Sequence, residues 1–297
     1  MWRHGTSRVL GGLAVVSLLS LAVSGGSAMA ASSAPAGGGT GAPLVSTAVM
    51  HDFNGDGHPD LLGLTSSGNL YLNIGTDTGF TGSPALVGTG WQNMKEIVAA
   101  GDFNGDGHAD LIAKTPTGDL RLYYGTGVTS PCFTTGPKIG TGFTGWTIVA
   151  PGDWTGDTHP DLIARSPTGV LRLFTGNTAG TGFSGVSTIG TGWQTLKIVA
   201  PGDWNGDGHP DLIAKFTNGI LKLYEGNGLG VSAISTIGSG WQSIKIAAPG
   251  DWNTDGNPDI VGRFSNGLLK LYEGNGTGFS GTILTLGSGW QVYTAMI

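Results

Sequence analysis

Residues 203–224 read DWNGDGHPDLIAKFTNGILKLY, and this stretch decides the fold because variants of it recur along the chain. An acidic, glycine-containing loop comes first, and two short apolar runs separated by Asn218-Gly219 follow it. Short apolar runs bounded by Gly, Asn and Pro indicate β-strands joined by tight turns. The loop also begins at Asp52, Asp102, Asp153 and Asp251, so the five copies are spaced by 50, 51, 50 and 48 residues.

Each repeat contains four such runs, at 198–202, 212–215, 220–224 and 233–237 in the fourth copy. Four strands recurring at this period predict an all-β fold, a β-propeller with one repeat in each blade. We therefore expect a five-bladed propeller over residues 45–297, with four antiparallel strands per blade and the acidic loop between the first and second strands. An open β-array is the alternative, although neither end shows a polar capping repeat.

The first strand of the repeat occurs six times, once more than the others. Residues 47–50 occupy this position before the first loop, and residues 290–297 occupy it again at the C-terminus. We place the surplus strand at the seam between the first and last blades. Either copy can complete the ring.

The first thirty residues have the pattern of a cleavable signal peptide. Arg3 and Arg8 precede an apolar run of about 15 residues, which is shorter than the ~20 of a membrane-spanning helix. Ala28-Met29-Ala30 then predicts cleavage after Ala30, and hence a secreted, extracellular protein. Residues 31–44 are rich in Ala, Gly, Pro and Ser and are expected to form a flexible leader.

The composition excludes several classes of protein. The chain has 56 Gly, 14 Pro and a formal net charge of −6, so nothing indicates a nucleic-acid partner. The one cysteine, Cys132, excludes an intrachain disulfide framework and is expected to be a buried apolar filler. No further run is long enough to span a membrane, and we expect a monomer.

The spacing within the acidic loop predicts a metal site. Asp52, Asn54 and Asp56 alternate, so their side chains can converge, and Gly57 permits a sharp reversal of the backbone. Asp60 can complete the ligand shell. Three carboxylates and an amide supply only oxygen ligands, which favour Ca²⁺ over zinc or copper. The alternative is an ordinary turn, since Asp-Gly and Asn-Gly are common turn formers.

This loop, D-F/W-N-G-D-G-x-P-D-L between two strands, resembles the FG-GAP/VCBS repeats of secreted bacterial proteins and of integrin α-chain propellers. The resemblance covers residues 45–297. It implies that side chains at loop positions 1, 3, 5 and 9 and the carbonyl of position 7 bind calcium, with up to five ions per chain. The implied ligands are Asp52, Asn54, Asp56, His58 and Asp60; Asp102, Asn104, Asp106, His108 and Asp110; Asp153, Thr155, Asp157, His159 and Asp161; Asp203, Asn205, Asp207, His209 and Asp211; and Asp251, Asn253, Asp255, Asn257 and Asp259.

The third loop departs most from the pattern. Thr155 replaces Asn, and Thr158 replaces the glycine at the reversal. Because a β-branched residue is strained at positive φ, we predict that this loop binds calcium most weakly. The fifth loop has Thr254 where the others have Gly.

A pair of cations recurs in four repeats and is a candidate ligand site. A two-residue type I′ turn at Asn218-Gly219 would place Lys215 directly opposite Lys222, an unfavourable pair. One interpretation packs the stems between blades with the charged heads in water. The other is an anion or polyol bound once per blade, and a three-residue turn with a bulge would break the opposition. The pairs are Lys114/Arg121, Arg165/Arg172, Lys215/Lys222 and Arg263/Lys270.

No catalytic motif was found in the sequence, and we expect no enzymatic activity. The histidines at loop position 7 are expected to turn their rings to solvent. The repeated Trp residues either pack between blades or form a platform that stacks sugars.

The sequence thus predicts a secreted, calcium-binding, non-catalytic propeller that acts as a binding or adhesion module for a glycan or cell-wall polymer. The alternatives are a purely structural or protein-protein interaction module, and a polysaccharide hydrolase or esterase with an unrecognised site. Fifteen of the 20 acids lie in the loops. Five bound Ca²⁺ ions would bring the cleaved chain to about +2, which favours neutral or anionic partners over cationic ones.

Overall fold

The computed structural model describes residues 51–297, which form 20 strands in five four-stranded sheets. Every strand pairs antiparallel with its neighbours, and four of the sheets are built from consecutive strands, whereas the first sheet also takes in the last strand of the chain, from the C-terminal end. The predicted five-bladed propeller with four antiparallel strands per blade is confirmed.

The blades are numbered in chain order, and each innermost strand is named first. The first blade contains β20 (Tyr293–Met296), β1 (Leu61–Thr65), β2 (Leu70–Thr76) and β3 (Gly79–Gly88). The second contains β4 (Glu96–Gly101), β5 (Asp110–Lys114), β6 (Leu120–Gly125) and β7 (Phe133–Gly140). The third contains β8 (Thr147–Gly152), β9 (Asp161–Arg165), β10 (Leu171–Gly176) and β11 (Phe183–Gly190). The fourth contains β12 (Lys197–Gly202), β13 (Asp211–Lys215), β14 (Leu221–Gly226) and β15 (Val231–Gly238). The fifth contains β16 (Lys245–Gly250), β17 (Asp259–Arg263), β18 (Leu269–Gly274) and β19 (Phe279–Gly287).

The C-terminal copy of the surplus strand closes the ring. β20 pairs with β1, with Leu64 opposite Ala295 and Gly63 opposite Met296. The last strand of the chain therefore completes the first blade, and the open array is excluded. Residues 47–50, the other candidate, lie outside the described residues.

The core is divided among the interfaces between blades. Five clusters of buried apolar side chains each combine two successive blades, and the last cluster joins Leu61 of the first blade to Trp252 and Leu269 of the fifth. Burial between neighbouring sheets is the main stabilising contribution, at about 25 cal/mol per Å² of apolar surface. The clusters therefore hold the blades in one closed ring.

The turn between the second and third strands differs from the predicted type I′ turn. Phe216 N donates to Ile220 O at 2.9 Å, so three residues, Thr217 to Gly219, make the connection. Gly219 has a φ of +82°, whereas Asn218 is not among the residues at positive φ. A three-residue turn ending in a left-handed glycine shifts the register by one residue. Lys215 consequently pairs with Leu221, and Lys222 pairs with Ala214.

Candidate functional site

The acidic loops occupy the same place in every blade. Four of them join the innermost strand of a blade to its second strand, and the loop at residues 52–60 leads directly into β1. Equal spacing along the sequence therefore becomes a fivefold arrangement of loops at one end of the innermost strands.

The first aspartate of each loop organises the loop backbone. Asp52 Oδ1 accepts hydrogen bonds from Gly55 N at 2.7 Å and Asp56 N at 3.2 Å. Asp52 Oδ2 accepts a hydrogen bond from Gly57 N at 2.9 Å. These bonds are possible because Gly57 adopts a φ of +89°, which brings its N–H toward the carboxylate.

The third and fifth positions contact each other, as their alternation predicts. Asn54 Nδ2 donates to Asp56 Oδ2 at 2.9 Å, and Asn54 Oδ1 accepts from Asp56 N at 2.9 Å. Asp56 Oδ1 accepts from His58 N at 3.0 Å. The same contacts recur in the second, fourth and fifth loops. In the third loop, by contrast, Thr155 makes no equivalent bond to Asp157 among the described residues.

The ninth position is a buried carboxylate. Asp60 is 0% exposed, and it accepts hydrogen bonds from Phe53 N at 3.0 Å and Gly75 N at 2.8 Å. It therefore joins the loop to the end of β2, fifteen residues later. The equivalent residues in the other loops are equally buried and also bond to the end of the third strand of their blade: Asp110, Asp161, Asp211 and Asp259.

Burial also perturbs the acidity of these carboxyls. It raises the pKa of Asp60, Asp110 and Asp259 to about 7, and that of Asp161 and Asp211 to about 6. The neighbouring loop aspartates raise it further, while the backbone N–H donors lower it. A buried carboxylate surrounded by like charges is electrostatically unfavourable without a cation.

The donor chemistry of the loops fits a hard cation, because the side chains provide three carboxylates and, in four loops, an amide oxygen. In this arrangement the carboxylates point toward loop amides. Within residues 51–297, no three His, Cys, Asp or Glu side chains form a group positioned to hold a metal ion. Each carboxylate oxygen can accept a second partner besides an N–H group. The loops thus contain the ligand atoms that calcium prefers, in a conformation organised by hydrogen bonds.

Two stretches of the sequence match a known repeat family. Residues 52–113 and 153–214 match the model of the FG-GAP-like repeat. Both stretches are FG-GAP repeats. The predicted resemblance is confirmed for these residues, and no curated protein matches the chain.

Several solved structures are similar to this chain. A symmetrical protein, from work on "the de novo evolutionary emergence of a symmetrical protein", has 14% identity and a TM-score of 0.52, over 80% of this chain and 97% of its own. The BP39L lectin from Burkholderia pseudomallei has 15% identity and a TM-score of 0.46, over 80% and 68%. AofleA from Arthrobotrys oligospora has 15% identity and a TM-score of 0.46, over 82% and 72%. At these identities the likeness concerns the fold alone.

Two of the acidic loops contain a threonine at positive φ. Thr158 has a φ of +74°, as the sequence of the third loop predicts, and Thr254 has a φ of +60° in the fifth loop. Positive φ costs a β-branched residue of the order of 1–3 kcal/mol. The third loop therefore combines backbone strain with the loss of the Asn54-type amide.

The histidine rings of the FG-GAP loops are half-buried, which corrects the prediction that they face solvent. The ring of His58 lies beside Asp77, with its Nδ1 3.2 Å from Asp77 Oδ1. The ring of His108 packs close to the backbone at Gly127. Neighbouring turns thus cover the rings, because the turn after the third strand folds back over the acidic loop.

The paired cations of the four repeats do not face each other, so their predicted opposition is wrong. The three-residue turn shifts the register in each of the four repeats, and the second cation pairs with a small residue instead of the first cation. Because neighbouring positions along a strand point to opposite sides, the two cations of a repeat lie on opposite faces of the sheet. The observed cross-strand pairs are Arg121 with Ala113, Arg172 with Ala164, Lys222 with Ala214 and Lys270 with Gly262.

The first cation of each pair donates hydrogen bonds to the segment that leads from its own blade into the next innermost strand, which is called the connection below. Lys215 Nζ donates to Trp241 O and Ile244 O, and Lys114 donates to Trp146 O. Arg165 Nη1 donates to Trp193 O at 3.0 Å. Arg263 Nη1 donates to Trp290 O at 2.9 Å and Tyr293 O at 2.5 Å, just before β20. The charged heads of these four residues are therefore bonded to protein, not left in water.

The second cation of each pair lies at the surface, and in three repeats it covers an aromatic ring. The guanidinium of Arg172 lies 5.6 Å from the ring centroid of Trp146. The ammonium of Lys222 lies 5.5 Å from the centroid of Phe216, and that of Lys270 lies 5.7 Å from the centroid of Phe264. Arg121 is exposed on β6.

The predicted ligand site, made of both cations of one repeat, is therefore not formed. Lys114, Arg165, Lys215 and Arg263 contact the next connection, whereas Arg121, Arg172, Lys222 and Lys270 lie on the other face of the sheet, so the two members of a pair cannot hold one anion between them. Sequence reasoning found the cations by their periodicity but missed their partners, because backbone carbonyls in a distant turn leave no signal in the sequence.

The tryptophans pack between blades, as one of the two sequence interpretations predicts. Trp154, Trp204 and Trp252 are fully buried, and Phe53 and Phe103 occupy the same position in the other loops. The second series, represented by Trp193 and Trp241, is also buried. A sugar-stacking platform built from these rings all around the propeller is therefore excluded.

Cys132 is buried, as predicted, and burial raises the pKa of its thiol to about 12. The predicted signal peptide, its cleavage after Ala30 and the leader lie outside the described residues. Among residues 51–297, no helix has the length and apolar character needed to cross a membrane.

Proposed function

We propose that this protein is a secreted, calcium-binding, non-catalytic β-propeller that serves as a binding or adhesion module, with a glycan or cell-wall polymer as its partner. The observation that carries the proposal is the fivefold repetition of one oxygen-rich loop, at one place in every blade. An ordinary turn needs neither three carboxylates nor a fully buried aspartate at its ninth position.

In this proposal calcium binds the side chains at positions 1, 3, 5 and 9 of each loop, with the carbonyl of position 7. The ion supplies positive charge next to carboxylates that burial and mutual repulsion destabilise. It would hold the loop closed at the point where Asp60 joins it to the end of β2. Calcium is thus assigned a structural role, stiffening the end of each blade.

Secretion is proposed from residues 1–30, whose two arginines, apolar run and Ala-x-Ala site have the signal-peptide pattern. An extracellular location suits the calcium assignment, because loops of modest affinity are occupied at the millimolar calcium found outside cells.

The absence of catalysis is proposed from the acids outside the loops. Glu96 is bonded to Lys114 at 2.6 Å, and Asp119 lies 3.8 Å from Lys138. Glu225 and Glu273 occupy the same position in β14 and β18, as scaffold residues do. A glycosidase needs two carboxyls about 5–9 Å apart across a cleft. Turnover of a polysaccharide or ester would revive the hydrolase alternative.

The glycan part of the proposal rests on a cavity between the first and second blades. It has a volume of about 240 Å³. The rings of Trp91 and Tyr123 lie against each other with centroids 4.6 Å apart. Phe133 adds a third aromatic residue, and Thr89 and Thr135 also line the cavity. Aromatic faces beside hydroxyl groups suit the apolar face and the polar rim of a sugar ring.

Substitution of Tyr123 tests this assignment. With calcium present, the protein is expected to bind members of a glycan array saturably, and Tyr123→Ala should weaken that binding by at least about tenfold, because it removes one wall of the cavity. Calorimetry with the best array ligand measures the effect.

Tyr224→Ala is the matched control, because Tyr224 occupies the equivalent position and contacts Trp193 at 4.4 Å between ring centroids. It should lower stability similarly and leave glycan affinity unchanged. Equal loss of binding in both variants, or no glycan bound by the native protein, would contradict the assignment.

Replacement of Thr158 tests the order of calcium affinities. Thr158→Gly relieves the strain at a φ of +74° and is expected to tighten the weakest site by about three- to tenfold. Calcium calorimetry on the native protein and the variant measures this directly. A variant in which no site tightens would contradict the link between backbone strain and affinity.

A structural or protein-binding module is the second candidate, and one surface favours it. Val186, Ile234 and Ile283 lie at equivalent positions on the outermost strands and are 57%, 56% and 49% exposed. Exposed apolar side chains on edge strands suit contact with another protein. An empty glycan array with retained calcium binding would favour this candidate.

A further inference from the structure

The innermost strands of the five blades, β4, β8, β12, β16 and β20, surround a central channel. A cavity at one mouth of this channel is lined by lysines and apolar side chains. It has a volume of about 340 Å³, and Lys197, Lys215 and Lys245 line it together with the apolar side chains of Ile198, Ile246 and Met296 among others. No acidic side chain of the described residues lines it. The lysines at 197 and 245 open the innermost strands, at the opposite end from the acidic loops.

The position that opens the innermost strand differs among blades. In the second blade it is Glu96, which pairs with Lys114 across the strands and bonds to its ammonium at 2.6 Å. In the third blade it is Thr147, whose hydroxyl accepts from Arg165 Nη2 at 2.9 Å. Both residues accept a hydrogen bond from the cation opposite them.

In the fourth and fifth blades the same position faces a like charge. Lys197 is paired with Lys215, and Lys245 is paired with Arg263. Directly opposed like charges destabilise a sheet. Three of these four cations, Lys197, Lys215 and Lys245, line the cavity. The carboxylate of Glu96 interacts electrostatically with Lys197, but its hydrogen bonds are made with Lys114 and Ile148 N.

Of these four cations, Lys197 and Lys245 are the ones whose ammonium groups can bind a ligand. Lys215 and Arg263 donate to the backbone carbonyls of the next connection. Within residues 51–297, the ammonium groups of Lys197 and Lys245 have neither an ion pair nor a hydrogen bond, and both side chains are exposed to the cavity mouth. Burial lowers the pKa of Lys215 and Lys245, and the charge of Lys197 lowers both further.

We propose that this channel mouth binds the oxyanion group of a small organic molecule, with Lys197 and Lys245 as its ligands and the side chains of Ile198, Ile246 and Met296 against its apolar body. An oxyanion would compensate the opposed cations of two blades at once. Both carboxylates and sulfates carry this chemistry, and the apolar floor favours an organic anion over an inorganic one. The site does not depend on the acidic loops or on the glycan cavity.

Calorimetry of the intact protein with glucuronate and, separately, inorganic sulfate tests the proposal, at constant ionic strength and with calcium present. One saturable site per chain is expected for glucuronate, with weaker binding of sulfate and none of neutral glucose. Lys197→Met/Lys245→Met should lower glucuronate affinity by at least about tenfold.

Two further variants keep the result interpretable. Lys245→Glu recreates the Glu96–Lys114 arrangement with Arg263, so it should remain folded by circular dichroism and lose binding to the same extent. Lys138→Met removes a cation that is 49% exposed and lies on the outermost strand of the second blade, so it should bind as the native protein does. Absence of saturable binding of both anions, glucose binding as tight as glucuronate, or native affinity in folded Lys245→Glu would overturn the proposal.

Discussion

Removing calcium with a chelator is expected to lower the melting temperature by roughly 18–36 °C. A ligand that binds the folded state stabilises it by RT ln(1 + [L]/Kd), which is about 2 kcal/mol per loop at a calcium concentration twentyfold above Kd. Five loops acting together would contribute of the order of 9 kcal/mol, and each kcal/mol shifts the melting temperature by about 2–4 °C in a domain of this size. Differential scanning calorimetry with and without chelator measures the shift.

Two additions make the experiment specific. Restoring calcium in excess of the chelator should recover the original melting temperature, whereas magnesium at the same concentration should recover little, because it dehydrates reluctantly and demands octahedral geometry. A melting temperature unchanged by the chelator would contradict the calcium assignment for all five loops.

Trp204→Ala is expected to lower the free energy of unfolding by about 3–5 kcal/mol, the usual cost of removing a large aromatic side chain from a packed interior. Trp204 is 1% exposed, and its ring meets that of Phe279 in the next blade edge-on, with centroids 5.7 Å apart. The substitution would open a cavity between the fourth and fifth blades. Urea denaturation measures the change.

Trp204→Phe provides the matched comparison and should cost clearly less than Trp204→Ala, because it leaves a smaller cavity. Phe53 and Phe103 occupy this position in the first two loops, so the fold accepts the smaller ring. The Trp204 indole N–H is also buried without a hydrogen-bond partner among the described residues, so its removal loses no bond. Equal destabilisation by the Ala and Phe variants would contradict the claim that an aromatic side chain packed between the blades stabilises the propeller.

The repeat made the architecture predictable. Five loops at nearly constant spacing, each followed by two apolar runs, specify one blade per repeat because every blade must bury both faces against its neighbours. The C-terminal strand was found by the same means, since residues 290–297 copy the first strand of the repeat. Its pairing with β1 was not predictable, because two copies of that strand competed for one position.

The register of the hairpins shows where periodicity stops being informative. Asn218-Gly219 suits both a two-residue type I′ turn and the last two residues of a three-residue turn, and only Gly219 adopts positive φ. The choice moves Lys222 from opposite Lys215 to opposite Ala214. Because of this one-residue shift in register, the two lysines do not form the predicted ligand pair. Lys215 makes a contact between blades, and Lys222 lies at the surface on the other face of the sheet.

The channel mouth shows a second limit of sequence reasoning. Glu96, Thr147, Lys197 and Lys245 occupy one position in four repeats, but this position is acidic, neutral or basic depending on the repeat, so a search for repeated motifs passes over it. Lys197 and Lys245 reach one cavity because β12 and β16 lie side by side, and closure of the ring adds Ala295 and Met296 of β20 to its lining. A search for repeats detects the residues that the repeats share, so it predicts the fold but misses a site formed where the repeats differ.

The number of calcium ions bound per chain tests whether each of the five acidic loops is a calcium site. Equilibrium dialysis of the intact protein against calcium, with the ions counted by atomic absorption, should approach five per chain at millimolar calcium, and the third loop should fill last. Asp207→Ala, which removes one carboxylate from the fourth loop, should reduce the count by one. Fewer than one ion bound per chain at millimolar calcium would contradict the account.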